Sequence, residues 1–169
     1  MIIRQEKPGD FQSVYFLVKT AFQTAKVSNG AEEDYVKKLR VNSNYIPELA
    51  LVTEQDAKLV AHIMLTKTFV ATGGSKFEAF LLAPLCVALE YRKHGIGSKL
   101  VAKSFEYAKN LGYTAVFVVG DPAFYGRFGF KSSALFGIKH VPLIPEQYVM
   151  VYELFLDALT GIAGTVTFT

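Results

Sequence analysis

The sequence predicts a mixed α/β layer sandwich in one domain, and three observations carry that prediction. At 169 residues the chain amounts to about 1.1 domains of roughly 150 residues each. No repeat, low-complexity tract or linker divides it, so a single domain over 1–169 is expected. Hydrophobic residues make up 51% and charged residues 20%, with a mean hydropathy of +0.26. That is too apolar for a disordered chain, and a domain of this size buries about 70% of its unfolded surface without staples. The third observation is a change of hydrophobic period along the chain, from helical spacing to strand spacing and back.

Residues 2–6 read as a first strand, which Pro8-Gly9-Asp10 breaks, with Asp10 as the expected helix N-cap. Phe11, Val14, Tyr15, Val18, Ala21 and Phe22 then recur at three- and four-residue spacing, the pattern of an amphipathic helix. After a loop at Val27-Ser28-Asn29-Gly30, Glu32 to Arg40 reads as a second helix with Tyr35, Val36 and Leu39 inward. Leu49 to Thr53, Leu59 to Val70 and Phe77 to Leu89 read as strands of an antiparallel meander, separated by turn residues at 55–58 and 72–75. A third helix is expected from Ile96 to Asn110, with Leu100, Val101, Phe105, Ala108 and Leu111 inward and Gly112 ending it. Thr114 to Val119 is a continuous apolar run, as a buried strand requires. Asp121 caps a short helix at Pro122 to Phe128, with proline at its first position. Strand-like pieces follow at Tyr148 to Phe155 and Thr165 to Thr169, after His140 and a loop holding Pro142 and Pro145.

Several function classes fall away. The longest apolar run, Ala79 to Leu89, is 11 residues and contains Pro84, where a membrane-spanning helix needs about 20. The opening Met-Ile-Ile-Arg-Gln-Glu-Lys-Pro places an acid and a proline where a leader peptide needs apolar residues. A single cysteine, Cys86, gives no intrachain disulfide and no cysteine-cluster metal site. A reducing cytoplasm is therefore the expected location, and no metal is expected. The net charge of +3 is spread along the chain without a cluster of five or more Lys/Arg. That argues against nucleic acid and fits a small polyanionic ligand or no charged partner at all.

Such a ligand has an obvious place. Leu85-Cys86-Val87-Ala88-Leu89-Glu90-Tyr91-Arg92-Lys93-His94-Gly95-Ile96-Gly97 runs from a strand through a basic, glycine-spaced turn into a helix. Backbone N–H groups of such a turn converge on one spot, and the helix dipole favours negative charge there. Gly-x-Gly alone is a weak signal, and an ordinary strand-to-helix turn would explain it. The third glycine of the dinucleotide fingerprint is missing, and no Gly-x-x-x-x-Gly-Lys-Ser/Thr occurs.

A second segment, Gly120-Asp121-Pro122-Ala123-Phe124-Tyr125-Gly126-Arg127-Phe128-Gly129-Phe130, follows the apolar strand. Together the two segments resemble the GNAT N-acetyltransferases. Arg92-x-x-Gly95-x-Gly97 is similar to that family's acyl-CoA pyrophosphate loop, and Tyr125-x-x-x-Gly129-Phe130 to its tyrosine-bearing helix. Pro84-Leu85-Cys86-Val87, Arg127-Phe128-Gly129-Phe130, Glu32-x-x-Tyr35-Val36-x-x-Leu39-Arg40 and Val60-Ala61-His62-Ile63 resemble the YhbS-like predicted acetyltransferases in detail. The resemblance covers about residues 2–155. It implies a GNAT-type mixed, mostly antiparallel central sheet with helices on both faces. It also implies acetyl-CoA as co-substrate and an amine as acceptor.

Residue by residue, the resemblance implies that Leu85, Cys86 and Val87 line the pantetheine arm like an added strand, one N–H stabilising the oxyanion. Backbone N–H groups of Arg92, Lys93, His94, Gly95, Ile96 and Gly97 would hold the pyrophosphate, with Arg92 and Lys93 adding positive charge. Tyr125 would protonate the departing CoA thiolate, a transfer uphill by roughly 2 kcal/mol at ordinary pKa values. No general base is assigned. Glu32, Glu33, Glu78 and His62 are candidates, but two solvated helix charges, a strand-end gatekeeper and a satisfied strand histidine describe them as well. Cys86 reads as a small buried hydrophobe rather than a nucleophile. The tail after Asp157 either completes the sheet or pairs with a second subunit as a homodimer; the sequence leaves both open. A non-catalytic acyl-CoA-binding module is the alternative, and a nucleotide-phosphate binder using the same turn is a weaker one.

Overall fold

Hydrophobic period sorts this chain into nine strands and four α-helices among the described residues, in the order β-α-α-β-β-β-α-β-α-β-β-β-β. The computed structural model describes residues 1–141 and 143–168; Pro142 and Thr169, expected in a loop and at the end of the last strand, lie outside them. The chain contributes twice to each of two units, Met1–Thr66 with Ala83–Tyr107 and Lys67–Leu82 with Ala108–Thr169.

The first unit holds β1 (Ile2–Gln5), α1 (Phe11–Phe22), α2 (Glu32–Arg40) and β2 (Tyr45–Gln55). The start of β3 (Lys58–Ala71), the end of β4 (Lys76–Val87) and most of α3 (Ile96–Asn110) belong to it as well. β1 runs antiparallel to β2 from Ile2↔Glu54 to Gln5↔Leu51, and β2 antiparallel to β3 from Ala50↔Met64 to Gln55↔Lys58. Val14, Leu17, Val18 and Ala21 of α1 and Val36 and Leu39 of α2 pack on alternate strand residues Ala50, Val52 and Met64, and on Cys86. Each large aliphatic buried this way contributes about 1.5–3 kcal/mol.

The second unit pairs β4 in parallel with β5 (Ala115–Val119), from Phe80↔Val116 to Leu82↔Val118. β5 pairs antiparallel with β8 (Val149–Glu153), and β8 with β6 (Lys131–Ser132). Between them lie α4 (Pro122–Tyr125) and β7 (Ile138–His140). The last strand, β9 (Gly164–Thr167), is antiparallel to the end of β3 and parallel to β7. Of the two uses foreseen for the tail, β9 takes up sheet completion. The sheet is mostly antiparallel and the fold a mixed α/β one, as the sequence predicts.

Three local expectations need correction. Asp10 does not cap α1. Its carboxylate accepts the Lys7 N–H at 2.7 Å and two Arg4 N–H groups at 2.7 and 3.0 Å, closing a 3-10 turn at Pro8–Asp10 that runs straight into the helix. β2 begins at Tyr45 rather than Leu49, because a register shift between Tyr45 and Ala50 takes Pro47, which has no N–H to donate, into the strand. Leu111 is 46% exposed, because α3 ends at Asn110 and Gly112 turns the chain with φ +84°.

Candidate active site

The end of β4 supplies the first part of the site. Leu85 and Cys86 are buried and Val87 half-buried. The Ala88 N–H bonds the Val60 carbonyl at 2.8 Å, and a 3-10 turn at Leu89–Tyr91 then lifts the chain off the strand. Lys93 and Gly95 both adopt left-handed backbone, with φ +64° and +76°. The first helical hydrogen bond of α3 runs from the Lys99 N–H to the Gly95 carbonyl. The N–H groups of Ile96, Gly97 and Ser98 therefore precede the helical ladder, at the positive end of a 15-residue helix. Lys93, His94 and Gly95 are exposed beside them, and Ile96 anchors the turn from within. A Cβ on Gly97 would meet only Val87 Cγ2, at an ordinary 3.6 Å.

Arg92 does not present the free cation expected of it. Its N–H donates to the Leu89 carbonyl at 3.3 Å. Its guanidinium turns inward, donating from Nε to the Val87 carbonyl (3.0 Å), from Nη1 to Thr24 Oγ1 (2.8 Å) and from Nη2 to the Ala21 carbonyl (2.9 Å). The reason is local: carbonyls at the end of α1 and of β4 lack partners in their own elements, and one planar fork reaches both. Arg92 braces the turn rather than adding a free cation to it.

Cys86 is shut away. Burial pushes its thiol up to about 12, against smaller opposing effects of a hydrogen bond from the His62 backbone N–H and the Arg92 charge. It is a neutral, packed thiol, as the sequence reading holds.

In the second unit, β5 delivers the chain to Gly120, whose N–H bonds the Tyr148 carbonyl at 2.9 Å. Asp121 then caps α4 by accepting the Ala123 N–H at 3.0 Å. Tyr125 is half-buried, its ring edge-on to Phe124 and Phe130 with centroids at 5.0 and 5.7 Å. A Cβ at residue 120 would overlap that ring. Gly129, at φ +96°, passes so close to the Tyr152 ring that a side chain there would meet it at 3.0 Å. Gly120 thus leaves the room that the Tyr125 ring occupies, as Gly129 does for Tyr152.

The four candidate bases have different settings. Glu78 is exposed and helps raise Tyr113, whose own partial burial is the larger cause. Glu32 takes the Asn29 N–H on Oε1 at 2.9 Å, while its Oε2 is buried and unpartnered. Glu33 is only 7% exposed, against the solvated charge expected. His62 is fully buried, its Nε2 facing Glu6 Oε2 at 3.2 Å and its Nδ1 unpartnered. Sequence reasoning missed the rest of this network. Arg40 Nε and Nη2 grip Glu6 at 3.0 and 2.9 Å, and Tyr45 OH donates to Glu6 Oε1 at 3.1 Å. Burial alone would push the Glu6 carboxyl up; the hydrogen bonds from His62 and Arg40 outweigh it and hold it at about 2. Only an acid at the end of β1 and an arginine at the end of α2 could have signalled the pair, and neither is local to the other.

Among the described residues, no group of three or more His, Cys, Asp or Glu side chains is placed to hold a metal, and no helix is long and apolar enough to cross a membrane.

The family model for the acetyltransferase (GNAT) domain matches residues 2–132. An uncharacterized N-acetyltransferase of Escherichia coli K12, YhbS, is 29% identical over 168 residues, covering 99% of this chain and 96% of its own length. Another from the same strain, YjhQ, is 33% identical over 140 residues, covering 80% and 75%. The crystal structure of E. coli YhbS in complex with CoA superposes with a TM-score of 0.86, covering 99% of this chain and 89% of that one. A GNAT family acetyltransferase from Brucella melitensis in complex with acetyl-CoA gives a TM-score of 0.78 at 26% identity, covering 99% and 95%.

Proposed function

The chain belongs to the GNAT acetyltransferase family, and from that premise we propose that it moves an acetyl group from acetyl-CoA to an amine by direct attack in a ternary complex. The observation that carries the proposal is the turn before α3. Left-handed backbone at Lys93 and Gly95 leads into a long helix whose first N–H groups are free of the ladder, which suits a pyrophosphate. That relatives at 29% and 26% identity were solved with CoA and acetyl-CoA supports the same ligand here.

In this reading the backbone from Lys93 to Gly97 holds the pyrophosphate, with Arg92 bracing the turn. The backbone of Leu85, Cys86 and Val87 pairs with the pantetheine arm. One of these N–H groups receives the thioester oxygen as it becomes an oxyanion. The amine nitrogen attacks the carbonyl carbon, the C–S bond breaks, Tyr125 gives its proton to the thiolate sulfur, and the nitrogen sheds its proton to water, from which Tyr125 is reprotonated. An alkyl amine of pKa about 10.4 must first lose a proton, at a cost of about 4 kcal/mol near pH 7.4. Cys86, neutral and buried, takes no covalent part.

Thermal unfolding with acetyl-CoA, CoA, ATP and NAD in parallel tests the ligand. A ligand at 100 times its Kd adds about 2.7 kcal/mol, which raises the midpoint of a domain this size by roughly 5–11 °C. The two CoA ligands are expected to give that shift and the other two none. A shift with ATP or NAD but not with CoA would overturn the proposal in favour of a nucleotide binder.

A further inference from the structure

In the second unit, an open pocket of about 430 Å³ lies where β6 and β8 meet the start of α4. That is within the roughly 300–1,000 Å³ of small-molecule sites. Ser132 and Met150 are cross-strand partners, so their side chains share one face of the sheet, and Met150, otherwise buried, forms the floor. Pro122 borders the pocket from α4, and the 3-10 turn at Glu146–Tyr148 brings Glu146 and Gln147 to its rim. Among the described residues, the side chains of Ser132, Glu146 and Gln147 have no hydrogen-bond or ionic partner.

Tyr125 stands on the same face. Tyr152 is the next residue of β8 to point the way Met150 does. Its ring lies 5.7 Å from that of Phe130, which in turn lies 5.7 Å from the Tyr125 ring. Pro122 and Tyr125 are three residues apart on α4, hence neighbours on one side of that turn. The chemistry of the lining narrows the occupant. No lysine, arginine or histidine lines the pocket and its one charge is a carboxylate, so polyanionic CoA does not suit it. The Met150 thioether and the Pro122 ring suit a flat, polarisable aromatic ring. The Glu146 carboxylate, the Gln147 side-chain carbonyl and Ser132 Oγ all accept hydrogen bonds at its edge. We propose that this pocket holds the body of the acceptor, which makes the acceptor class an arylalkylamine with a hydrogen-bond donor on its ring. The inference rests on the acetyl-transfer reading above, in which the reacting groups meet beside Tyr125.

The test uses the full chain with tyramine, phenethylamine and n-butylamine. The chain has three methionines, so protein carrying 13C-methyl methionine gives three signals, and Met150→Leu assigns one by its loss. Tyramine added to the CoA complex is expected to shift the Met150 methyl saturably by its ring current and to leave Met64, fully buried in the first unit, in place. In turnover, kcat/KM for tyramine should exceed that for n-butylamine at least about tenfold, through KM. Glu146→Gln should bring tyramine down toward phenethylamine by about fivefold, the difference between a charge-assisted and a neutral hydrogen bond. Gln147→Trp, which fills the mouth of the pocket, should abolish the Met150 shift and bring the three amines together. Stabilisation of both variants by acetyl-CoA, equal to wild type, establishes that they fold. A Met150 signal that tyramine does not move, or an amine ranking unchanged in both variants, would overturn the inference while leaving acetyl transfer standing. Failure of acetyl-CoA to stabilise the wild type or to turn over with any amine would overturn the underlying reading, and the inference with it.

Discussion

Glu6 illustrates how much one buried side chain can decide. It sits with Arg40 and His62 at full or near-full burial, and its four hydrogen bonds come from residues 34 to 56 positions away. Because its folded pKa of about 2 lies below the ordinary 4.5, the ionised form stabilises the fold fully above pH 4.5. That contribution fades as pH falls toward 2, and its size is roughly 3 kcal/mol. Urea unfolding from pH 7 down to pH 2.5 should therefore show stability falling through this window. Glu6→Gln should be weaker than wild type by about 3–5 kcal/mol at pH 7, since it strands the Arg40 charge. The gap should narrow below pH 4; a gap independent of pH would mean that Glu6 acts by shape rather than charge. At this scale the sequence was least legible. Tyr125, Gly95 and Gly97 stand out through local spacing, whereas Glu6, Arg40, Tyr45 and His62 meet only through the fold. Whether Arg92 points to ligand or to the end of α1 is likewise decided by a carbonyl 71 residues away in the chain.

The turn and helix at 92–110 separate a structural role from a ligand role cleanly at Gly97. Its backbone is not left-handed, and a methyl group would make only one ordinary contact, so Gly97→Ala suits the protein itself. Alanine is also the better helix former by up to about 1 kcal/mol. The variant should unfold at the same temperature as wild type or slightly above it, yet bind acetyl-CoA at least about tenfold more weakly in calorimetry, because in the proposed binding mode the methyl group crowds the N–H offered to the pyrophosphate. Unchanged affinity would move the pyrophosphate elsewhere. Elements with strong periodicity and clear ends were legible at this scale. α2 and α3 occupy the expected spans of Glu32–Arg40 and Ile96–Asn110, and Asp121 with Pro122 opens α4 as foreseen. β2 and β3 run longer than their expected spans because pairing with a neighbour extends them into polar residues such as Glu54 and Lys58, whereas β4 stops at Val87, two residues before the expected Leu89. The short strand β6 is held by its partner β8 rather than by a pattern of its own.

At the scale of the whole molecule, the sequence carried the fold and the family through two motifs on either side of one apolar strand, and it left the acceptor open for a physical reason. The proposed cofactor contacts are made by backbone, which a glycine pattern announces. An acceptor would be met by side chains, whose burial and pairing only the fold decides: Glu33 reads as a solvated helix charge and is 7% exposed. The central claim is acetyl transfer, and the measurement that tests it most directly is continuous release of CoA thiol from acetyl-CoA with and without amines, wild type beside Tyr125→Phe, with the product weighed. The account predicts many turnovers that require an amine, a product one acetyl group heavier, and a Tyr125→Phe rate lower by about 10²-fold at unchanged acetyl-CoA affinity. Acetyl-CoA that binds tightly but yields no amine-dependent thiol across diamines and monoamines would contradict it and leave an acyl-CoA-binding module.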